Sequence, residues 1–487
     1  MEQGDHYGFF RPNPNWMGQM TGRESDTGLT WLGSDRKLAR TVGRPMVRFL
    51  GIEASGGILL MVATVVALVW ANSPWSGSYY DFWHTEVNLS VGDVISLEAH
   101  GHPLNLAEFV NDVLMAVFFF VVGLEIKREM VAGELRRLRV AALPIVAALG
   151  GMVVPALIYL AFNRSGAGST GWGIPMATDI AFAVGVVSLL GRRVPTSLKV
   201  FLLSLAIVDD IGAILVIAVF YTSDLSMGWL LVGVATMVAV VVMTRAKVWY
   251  TPFYFVLGVV LWYAMFRSGV HTTIAGVAMG LMAPARPLLD RTVMPPIELV
   301  RMDAADLRDA KFRLNESVSV ASRLEHLLHP VTGFVIIPVF ALANAGVEIS
   351  GETLSNALTS DVTLGIVFGL VVGKIIGVSL FSLVALRLGL AVLPAGTTRR
   401  HIVGISAIAG IGFTVSLFVT GLALDAGTLQ DEAKVGILAA SIVAAAIGVL
   451  ILRSARVPYT GAGPEDGQAP GKSSDPIVDA TDREQSK

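Results

Sequence analysis

The chain has 487 residues, of which 54% are hydrophobic and 15% charged, and its formal net charge is −2. Soluble domains carry about 25% charged residues, so this composition is typical of a membrane protein. The near-neutral net charge gives no basis for nucleic-acid binding, and the lack of cysteine excludes thiol catalysis, disulfide bonds and cysteine-held iron–sulfur clusters.

Both ends of the chain are polar. Residues 1–46 are rich in Gly, Pro and Asn and contain no apolar stretch of the kind found in a cleavable signal peptide. They are predicted to form a disordered cytoplasmic extension, and residues 457–487 a disordered cytoplasmic tail, because neither segment can bury enough apolar surface to fold. Residues 47–456 are predicted to form one membrane domain.

Long apolar runs follow one another through this domain. A helix needs about 20 apolar residues to cross a bilayer, so the runs predict an all-α polytopic membrane protein with twelve transmembrane helices. Their approximate limits are 51–71, 105–126, 140–162, 173–190, 197–221, 226–244, 251–266, 269–284, 329–347, 363–386, 400–424 and 434–452.

Basic residues indicate the orientation of these spans. Lys and Arg cluster in the connections after even-numbered spans, as between Lys127 and Arg139, and are nearly absent after odd-numbered spans. Because basic loops stay on the cytoplasmic side, both termini are predicted to be cytoplasmic.

Two of the connections are long. In residues 76–104, predicted outside, apolar and polar residues alternate from Val87 to Val91 ahead of Gly92-Asp93, which predicts a short β-hairpin. This outer hairpin either pairs with another subunit or covers its own chain. Residues 285–328, predicted inside, mix acidic and basic side chains, as is typical of an exposed helix with internal ion pairs.

Five ionisable residues lie well inside the predicted spans. Asp209 and Asp210 are adjacent in the fifth span, where each is disfavoured by roughly 2.5–3.5 kcal/mol on insertion scales. Lys374 lies about halfway along the tenth span and needs a carboxylate partner, for which Asp209 and Asp210 are the candidates. Adjacent helical positions differ by roughly 100° in direction, so the other aspartate can face a cavity. A purely structural ion pair would leave that second aspartate unexplained. The other two are Asp179 and Asp112, and the sequence indicates no partner for Asp112.

Two spans carry signs of an interrupted helix. The fourth contains Gly171, Gly173 and Pro175 shortly before Asp179, and the eleventh contains Gly410-Ile411-Gly412. These spans are seven apart in the order, as are the third and tenth, which indicates two inverted repeats. Half-helix ends at membrane depth carry partial charges, which Asp179 would offset at N-termini and Lys374 at C-termini. Close helix packing is the alternative explanation for each of these two glycine sets. The stripe of glycines at positions 365, 369, 373 and 377 around Lys374 predicts that another helix approaches closely there.

Seven motifs are distributed along the membrane domain. They are Gly123-Leu124-Glu125-Ile126-Lys127-Arg128-Glu129, Ala177-Thr178-Asp179-Ile180-Ala181-Phe182, Ile207-Val208-Asp209-Asp210-Ile211-Gly212-Ala213, Ser268-Gly269-Val270-His271, Arg323-Leu324-Glu325-His326-Leu327-Leu328-His329-Pro330, Gly373-Lys374 and Gly410-Ile411-Gly412-Phe413-Thr414. Together they resemble the NhaA-type sodium/proton antiporters of bacterial inner membranes, a family with an inverted-repeat fold. The resemblance covers roughly residues 45–455 and is specific because the motifs occur together.

The resemblance implies a function and a setting. It implies a secondary antiporter, not an enzyme, that exchanges sodium or lithium for protons across the bacterial inner membrane without a cofactor. The exchange would be electrogenic, activated at alkaline pH, and would serve sodium and pH homeostasis. The outer hairpin would join two subunits into a homodimer. The extra residues at both ends and in the 285–328 loop depart from the family pattern.

The resemblance also implies roles for individual residues. Asp210 resembles the primary ligand of sodium or lithium, with Thr178 and Asp209 near the ion, and Asp209 resembles the partner of Lys374. Asp179 resembles a charge-compensating aspartate at the crossing of two broken helices. A further group matches positions linked to pH sensing at a cytoplasmic funnel, although charged residues at helix ends are commonly only solvated: Glu125, Glu129, Glu325, His326 and His329.

Two other functions use similar residues. A sodium-coupled symporter of an organic solute would need more polar lining than the dense charge cluster leaves. An intramembrane aspartyl protease would need two aspartates facing each other as a dyad, which the adjacent Asp209-Asp210 pair and Lys374 do not fit.

Overall fold

The structure is a computed structural model that describes residues 55–88, 90–91, 95–96, 98–99, 102–222, 225–246, 248, 251–286 and 318–455. The predicted N-terminal extension, the predicted tail and most of the predicted 285–328 loop lie outside the described residues.

Helices dominate the described part of the chain, and seven of them are long and apolar enough to cross a membrane. Three bent helix pairs raise this number to ten if each pair is one span, and two further apolar helices are shorter. The chain is therefore a multi-pass membrane protein. The seven long helices are Leu106–Val131, Arg139–Phe162, Thr196–Phe220, Met227–Arg245, Val320–Asn344, Asp361–Arg387 and Thr428–Ser454; the bent pairs are Ser55–Ala71 with Ser76–Trp83, Ala167–Met176 with Ile180–Leu189, and Arg399–Ile408 with Phe413–Ala423; the shorter two are Pro252–Ser268 and Thr273–Met282.

Two of the bent helix pairs and two of the long helices contact one another at the candidate site described below. Ala167–Met176 and Ile180–Leu189 are a helix pair bent by 44°, called the first broken span below, and Arg399–Ile408 and Phe413–Ala423 are a pair bent by 47°, called the second broken span. Thr196–Phe220 is called the aspartate helix below, because it carries Asp209 and Asp210. Asp361–Arg387 is called the lysine helix.

The glycine stripe of the lysine helix lies against the helix Leu138–Phe162. A Cβ atom at position 377 would be 2.1 Å from the carbonyl oxygen of Gly150, and one at position 373 would be 2.9 Å from the Cα atom of Pro155. The prediction that these glycines permit close helix approach is confirmed. A π-helical turn at Gly369–Gly373 comes directly before Lys374, and such turns are frequent at functional sites.

The two broken spans cross at their breaks. The backbone N–H of Asp179 donates to the carbonyl oxygen of Ile411, at 2.7 Å, so the two non-helical segments are in direct contact. A Cβ atom at position 410 would lie 2.4 Å from the Leu370 carbonyl oxygen, and one at position 412 would lie 2.3 Å from Ser416 Oγ. Only glycine leaves room for this crossing.

The predicted outer loop at 76–104 contains more regular structure than its sequence indicates. It begins with the helix Ser76–Trp83, which was not predicted and which turns by 115° from the preceding helix. Two antiparallel pairs of two-residue strands follow, Ser90–Val91 with Ile95–Ser96 and Glu98–Ala99 with His102–Pro103. The predicted turn at Gly92-Asp93 lies outside the described residues.

The predicted start of the ninth span is wrong. The ninth span was predicted to begin at residue 329, but its helix begins at Val320, inside the predicted 285–328 loop. Ser319 caps this helix by accepting a hydrogen bond from the backbone N–H of Ser322, which satisfies one of the unpaired donors at a helix start. The stretch from Arg323 to Pro330 therefore lies on a helix and not at a loop edge.

Candidate functional site

Lys374 and Asp209 form a buried ion pair at the centre of the site. Lys374 Nζ lies 2.7 Å from Asp209 Oδ2, and neither side chain has any exposed surface. Spacing alone left the partner of Lys374 open between two aspartates, and the family resemblance implied Asp209; the structure places Lys374 on Asp209. A buried pair of opposite charges satisfies both groups, but removal of either partner leaves an uncompensated charge.

Thr178 links this ion pair to both breaks. Its Oγ1 accepts a hydrogen bond from Lys374 Nζ at 3.0 Å and lies 2.9 Å from Asp209 Oδ2 and 2.8 Å from the Ala409 carbonyl oxygen. Ala409 is the residue that ends the helix Arg399–Ile408. The hydroxyl of Thr178 therefore joins the charge pair to the C-terminal end of a half-helix.

Asp210 lacks the side-chain contacts that Asp209 makes with Lys374 and Thr178. It is 4% exposed, whereas Asp209 has no exposed surface. Within the described part of the chain the Asp210 carboxylate makes no hydrogen bond or salt bridge, and the Oδ1 atom of Asp209 is buried without a hydrogen-bond partner. Two adjacent carboxylates therefore keep oxygen atoms that no protein donor satisfies, which is the chemistry that a cation or a proton would complete.

Asp179 joins the N-termini of two half-helices. Its Oδ1 accepts from the backbone N–H of Phe182, at 2.9 Å, in the first turn of Ile180–Leu189. Its Oδ2 accepts from the backbone N–H and the hydroxyl of Thr414, at 3.0 and 2.6 Å, at the start of Phe413–Ala423. Because helix N-termini carry partial positive charge, one carboxylate offsets two of them.

Donors also meet the C-terminal ends of the half-helices. Lys374 Nζ donates to the Met176 carbonyl oxygen, at 2.5 Å, at the last residue of the helix Ala167–Met176. Ser416 Oγ donates to the carbonyl oxygen of Ile174 in the same helix, at 2.8 Å. The crossing thus has a negative group at its two N-termini and donors at its C-terminal ends.

A cleft of about 470 Å³ opens near one end of the aspartate helix. Val200, Leu203 and Ser204 line it from that helix. Leu203 and Asp210 are seven residues apart, so at 3.6 residues per turn they share a helix face, with Asp210 about two turns further along the helix. The cleft therefore lies over the face that carries Asp210. Its other lining residues are Glu129, Ala132, Gly133, Glu134, Arg136 and Arg137.

The predicted glutamate and histidine group lies where Leu106–Val131 packs against Val320–Asn344. Glu125 Oε1 is 3.5 Å from His329 Nδ1, and Glu325 pairs with Arg128. Glu129 accepts from the backbone N–H of Glu134, at 3.1 Å. The structure thus brings three of the five predicted residues into two cross-helix pairs. His326 is exposed on the same helix as His329.

Some of the side chains at these sites were not predicted. Arg128 lies inside a motif but was not assigned a contact, and Thr414 and Ser416 follow the second glycine break with no charge to mark them. Asp112, for which no partner was predicted, accepts a hydrogen bond from Thr272 Oγ1 at 3.0 Å. These partners are distant in sequence, so spacing alone could not identify them.

Comparison with known proteins adds a family and close relatives. The family described as Na+/H+ antiporter 1 matches residues 47–452. The chain is 47% identical over 415 residues to the Na(+)/H(+) antiporter NhaA 3 of Frankia alni, covering 84% of this chain and 88% of that protein. It is 47% identical over 422 residues to the Na(+)/H(+) antiporter NhaA of Rhodopirellula baltica, covering 84% and 93%. It is 48% identical over 412 residues to the Na(+)/H(+) antiporter NhaA of Escherichia coli strain UTI89, covering 83% and 97%.

Proposed function

The chain belongs to the Na+/H+ antiporter 1 family, and we propose that Asp210, with Asp209 and Thr178, forms the site at which it exchanges sodium for protons. The protein is a transporter and not an enzyme, and sodium–proton antiport is its function. The observation that carries the site assignment is the contrast between the two aspartates: Asp209 is paired with Lys374, whereas Asp210 has no hydrogen bond or salt bridge among the described residues.

The proposed mechanism is competition at one pair of carboxylates. Sodium and lithium are hard cations that prefer oxygen ligands, which Asp210, Asp209 and Thr178 provide. A carboxylate that holds a proton cannot bind the ion as an anion, so proton binding and sodium binding exclude each other. Alternate exposure of this site to the two sides of the membrane, loaded once with sodium and once with protons, gives antiport without ATP.

We propose that the fold follows the family pattern of twelve spans in two inverted repeats. The ten candidate spans and the two shorter apolar helices together give twelve. The two broken spans are proposed to be the interrupted crossing helices of the two repeats, with Asp179 and Lys374 compensating their terminal charges. Contacts of Asp179 with two helix N-termini and of Lys374 with a helix C-terminus support this assignment.

The setting of the protein is also proposed. The distribution of Lys and Arg supports cytoplasmic termini, and the family resemblance supports the bacterial inner membrane. Electrogenic exchange would let the membrane potential contribute about 2.3 kcal/mol per charge per 100 mV.

Activation at alkaline pH is proposed to depend on the glutamate and histidine group. Its ionisable side chains lie where two helices pack together and form two cross-helix pairs, Glu125 with His329 and Glu325 with Arg128. Loss or gain of a proton at either pair changes the electrostatic attraction between the two helices. A change of pH can therefore change how these helices pack. Glu129 and His326 are included in this proposed group because of the family resemblance.

Everted membrane vesicles with an acidic interior provide the test of the function. Added sodium or lithium is expected to dissipate the pH gradient, more strongly at alkaline pH, and the half-saturating sodium concentration is expected to rise as the pH falls because protons compete for the carboxylates. No response at any pH would reject antiport. A response that requires an added organic solute would favour the symporter instead.

The outer strands are proposed to join two subunits. Deletion of residues 85–95 removes the strand pair formed by Ser90–Val91 and Ile95–Ser96, so we expect weaker dimers in mild detergent, measured by size-exclusion chromatography with light scattering. Sodium–proton exchange in vesicles is expected to persist, because the hydrogen bonds described above for the crossing involve none of the deleted residues. Unchanged dimers would contradict the hairpin contact.

A further inference from the structure

Ser416 is a buried hydroxyl beside the proposed ion site but not within it. It lies on Phe413–Ala423, has no exposed surface, and donates to the carbonyl oxygen of Ile174 at 2.8 Å. In the described part of the chain it makes no hydrogen bond to Asp209, Asp210 or Lys374. Its contact therefore joins the two broken spans without touching the charges.

One helix holds the non-helical segment of the first broken span from both sides. Two residues before Ser416, Thr414 binds the Asp179 carboxylate through its backbone N–H and its hydroxyl. Ser416 binds Ile174, which precedes the break, whereas Asp179 follows it. Thr178 lies between these two attachment points.

The Ile174 carbonyl oxygen requires a hydrogen-bond donor from outside its own helix. The last carbonyl groups of a helix have no partner within the helix, and a buried carbonyl without a hydrogen bond is strongly disfavoured. Ile174 is fully buried, so Ser416 supplies a bond that water is not placed to supply. Two residues further on, the Met176 carbonyl accepts from Lys374 Nζ.

Gly412 makes the contact possible. A Cβ atom at that position would be 2.3 Å from Ser416 Oγ and 3.1 Å from the Ala177 carbonyl oxygen. The glycine that permits the second break thus also leaves the space in which the Ser416 hydroxyl reaches the first broken span.

We propose that Ser416 is a positioning residue for the ion site. By fixing the end of Ala167–Met176, it sets the Met176 carbonyl and Thr178 at the distances from Lys374 Nζ that the ion pair requires, 2.5 and 3.0 Å. Preorganised ligands bind an ion more tightly, because the ion does not have to order them itself. The inference rests on the proposed role of Asp210, Asp209 and Thr178.

The test compares Ser416→Ala with Ser406→Ala in everted vesicles. Ser406 is also fully buried on the second broken span, but its hydroxyl donates to the Ile402 carbonyl oxygen in its own helix and accepts from Ser379 Oγ on the lysine helix, so it makes no hydrogen bond to the first broken span. Ser416→Ala is expected to raise the half-saturating sodium concentration about tenfold, as for loss of one buried hydrogen bond, with little change in the maximal response. Ser406→Ala is expected to leave that concentration unchanged, and Ser416→Thr, which keeps a hydroxyl, is expected to restore it.

Other results would overturn the inference. The proposal is rejected if the half-saturating sodium concentration is unchanged in Ser416→Ala, if it shifts equally in Ser406→Ala, or if it does not recover in Ser416→Thr. Ser416 would then have only a structural role. If Ser416→Ala does not accumulate in the membrane, Ser416→Cys, a weaker donor of similar size, replaces it, and an unchanged concentration in that variant again rejects the proposal. A wild-type protein without any sodium response would instead reject the proposed function.

Discussion

Asp210→Asn is expected to abolish the sodium response in everted vesicles while the protein still inserts into the membrane. The substitution keeps the shape of the side chain but removes its negative charge and its proton-binding site. Among the described residues, Asp210 makes no hydrogen bond or salt bridge that the change would break. The stability of the fold is therefore expected to change little. Sodium affinity is expected to fall strongly, because a neutral amide is a poor replacement for a carboxylate ligand.

Asp431→Asn is the matched control for this experiment. Asp431 is also a carboxylate on a membrane-span helix, Thr428–Ser454, but its side chain is 44% exposed and pairs with Lys434 at 3.8 Å. This variant is expected to respond to sodium as the wild type does. Sodium affinity retained in Asp210→Asn, measured by binding to the purified protein, would contradict the ligand role of Asp210.

Lys374→Met is expected to lower the free energy of unfolding by about 3–5 kcal/mol, because it leaves the Asp209 carboxylate buried without its cation. Both groups of the pair are fully buried, so water cannot replace the lost partner. The measurement is thermal unfolding of the purified protein in mild detergent, where the midpoint temperature is expected to fall well below that of the wild type.

A double variant separates the ion pair from other effects of the lysine. Lys374→Met with Asp209→Asn removes both charges and is expected to recover most of the lost stability, because replacing a whole buried pair is often nearly neutral. Lys434→Met, which breaks the partly exposed pair with Asp431, is the control and is expected to cost less than about 1 kcal/mol. A double variant no more stable than the single one would show that the lysine stabilises the fold by packing rather than by charge.

The membrane character of the protein could be derived from the sequence, because bilayer thickness sets the length of an apolar span. The same argument made Asp209, Asp210 and Lys374 conspicuous, since a charge inside such a run is disfavoured wherever it lies. The glycine stripe around Lys374 likewise predicted close helix approach, which the packing of Gly377 on Gly150 confirms. These properties depend on residues near one another in the chain.

The hydrophobicity pattern predicted the ends of the helices less well than their positions. The start of Val320–Asn344 was misplaced because polar residues such as Ser322 and Glu325 are interspersed through its first turns, so the continuous apolar run begins later than the helix does. The helix Ser76–Trp83 was missed because it is short and only partly apolar. In both cases hydrogen bonding and packing extend helical structure beyond what hydrophobicity alone predicts.

Residue spacing could not decide which aspartate pairs with Lys374; the family resemblance implied Asp209, and only the tertiary structure places the two side chains in contact. Helical geometry requires Asp209 and Asp210 to point about 100° apart, but it does not say which of them meets Lys374. That depends on the lysine helix, brought close by its glycines, and on Thr178, held between the contacts of Asp179 with Thr414 and of Ile174 with Ser416. The sequence by itself determined that these charges lie within the membrane. Their partners come from spans far apart in the chain, and only the packing of those spans sets the distances between them.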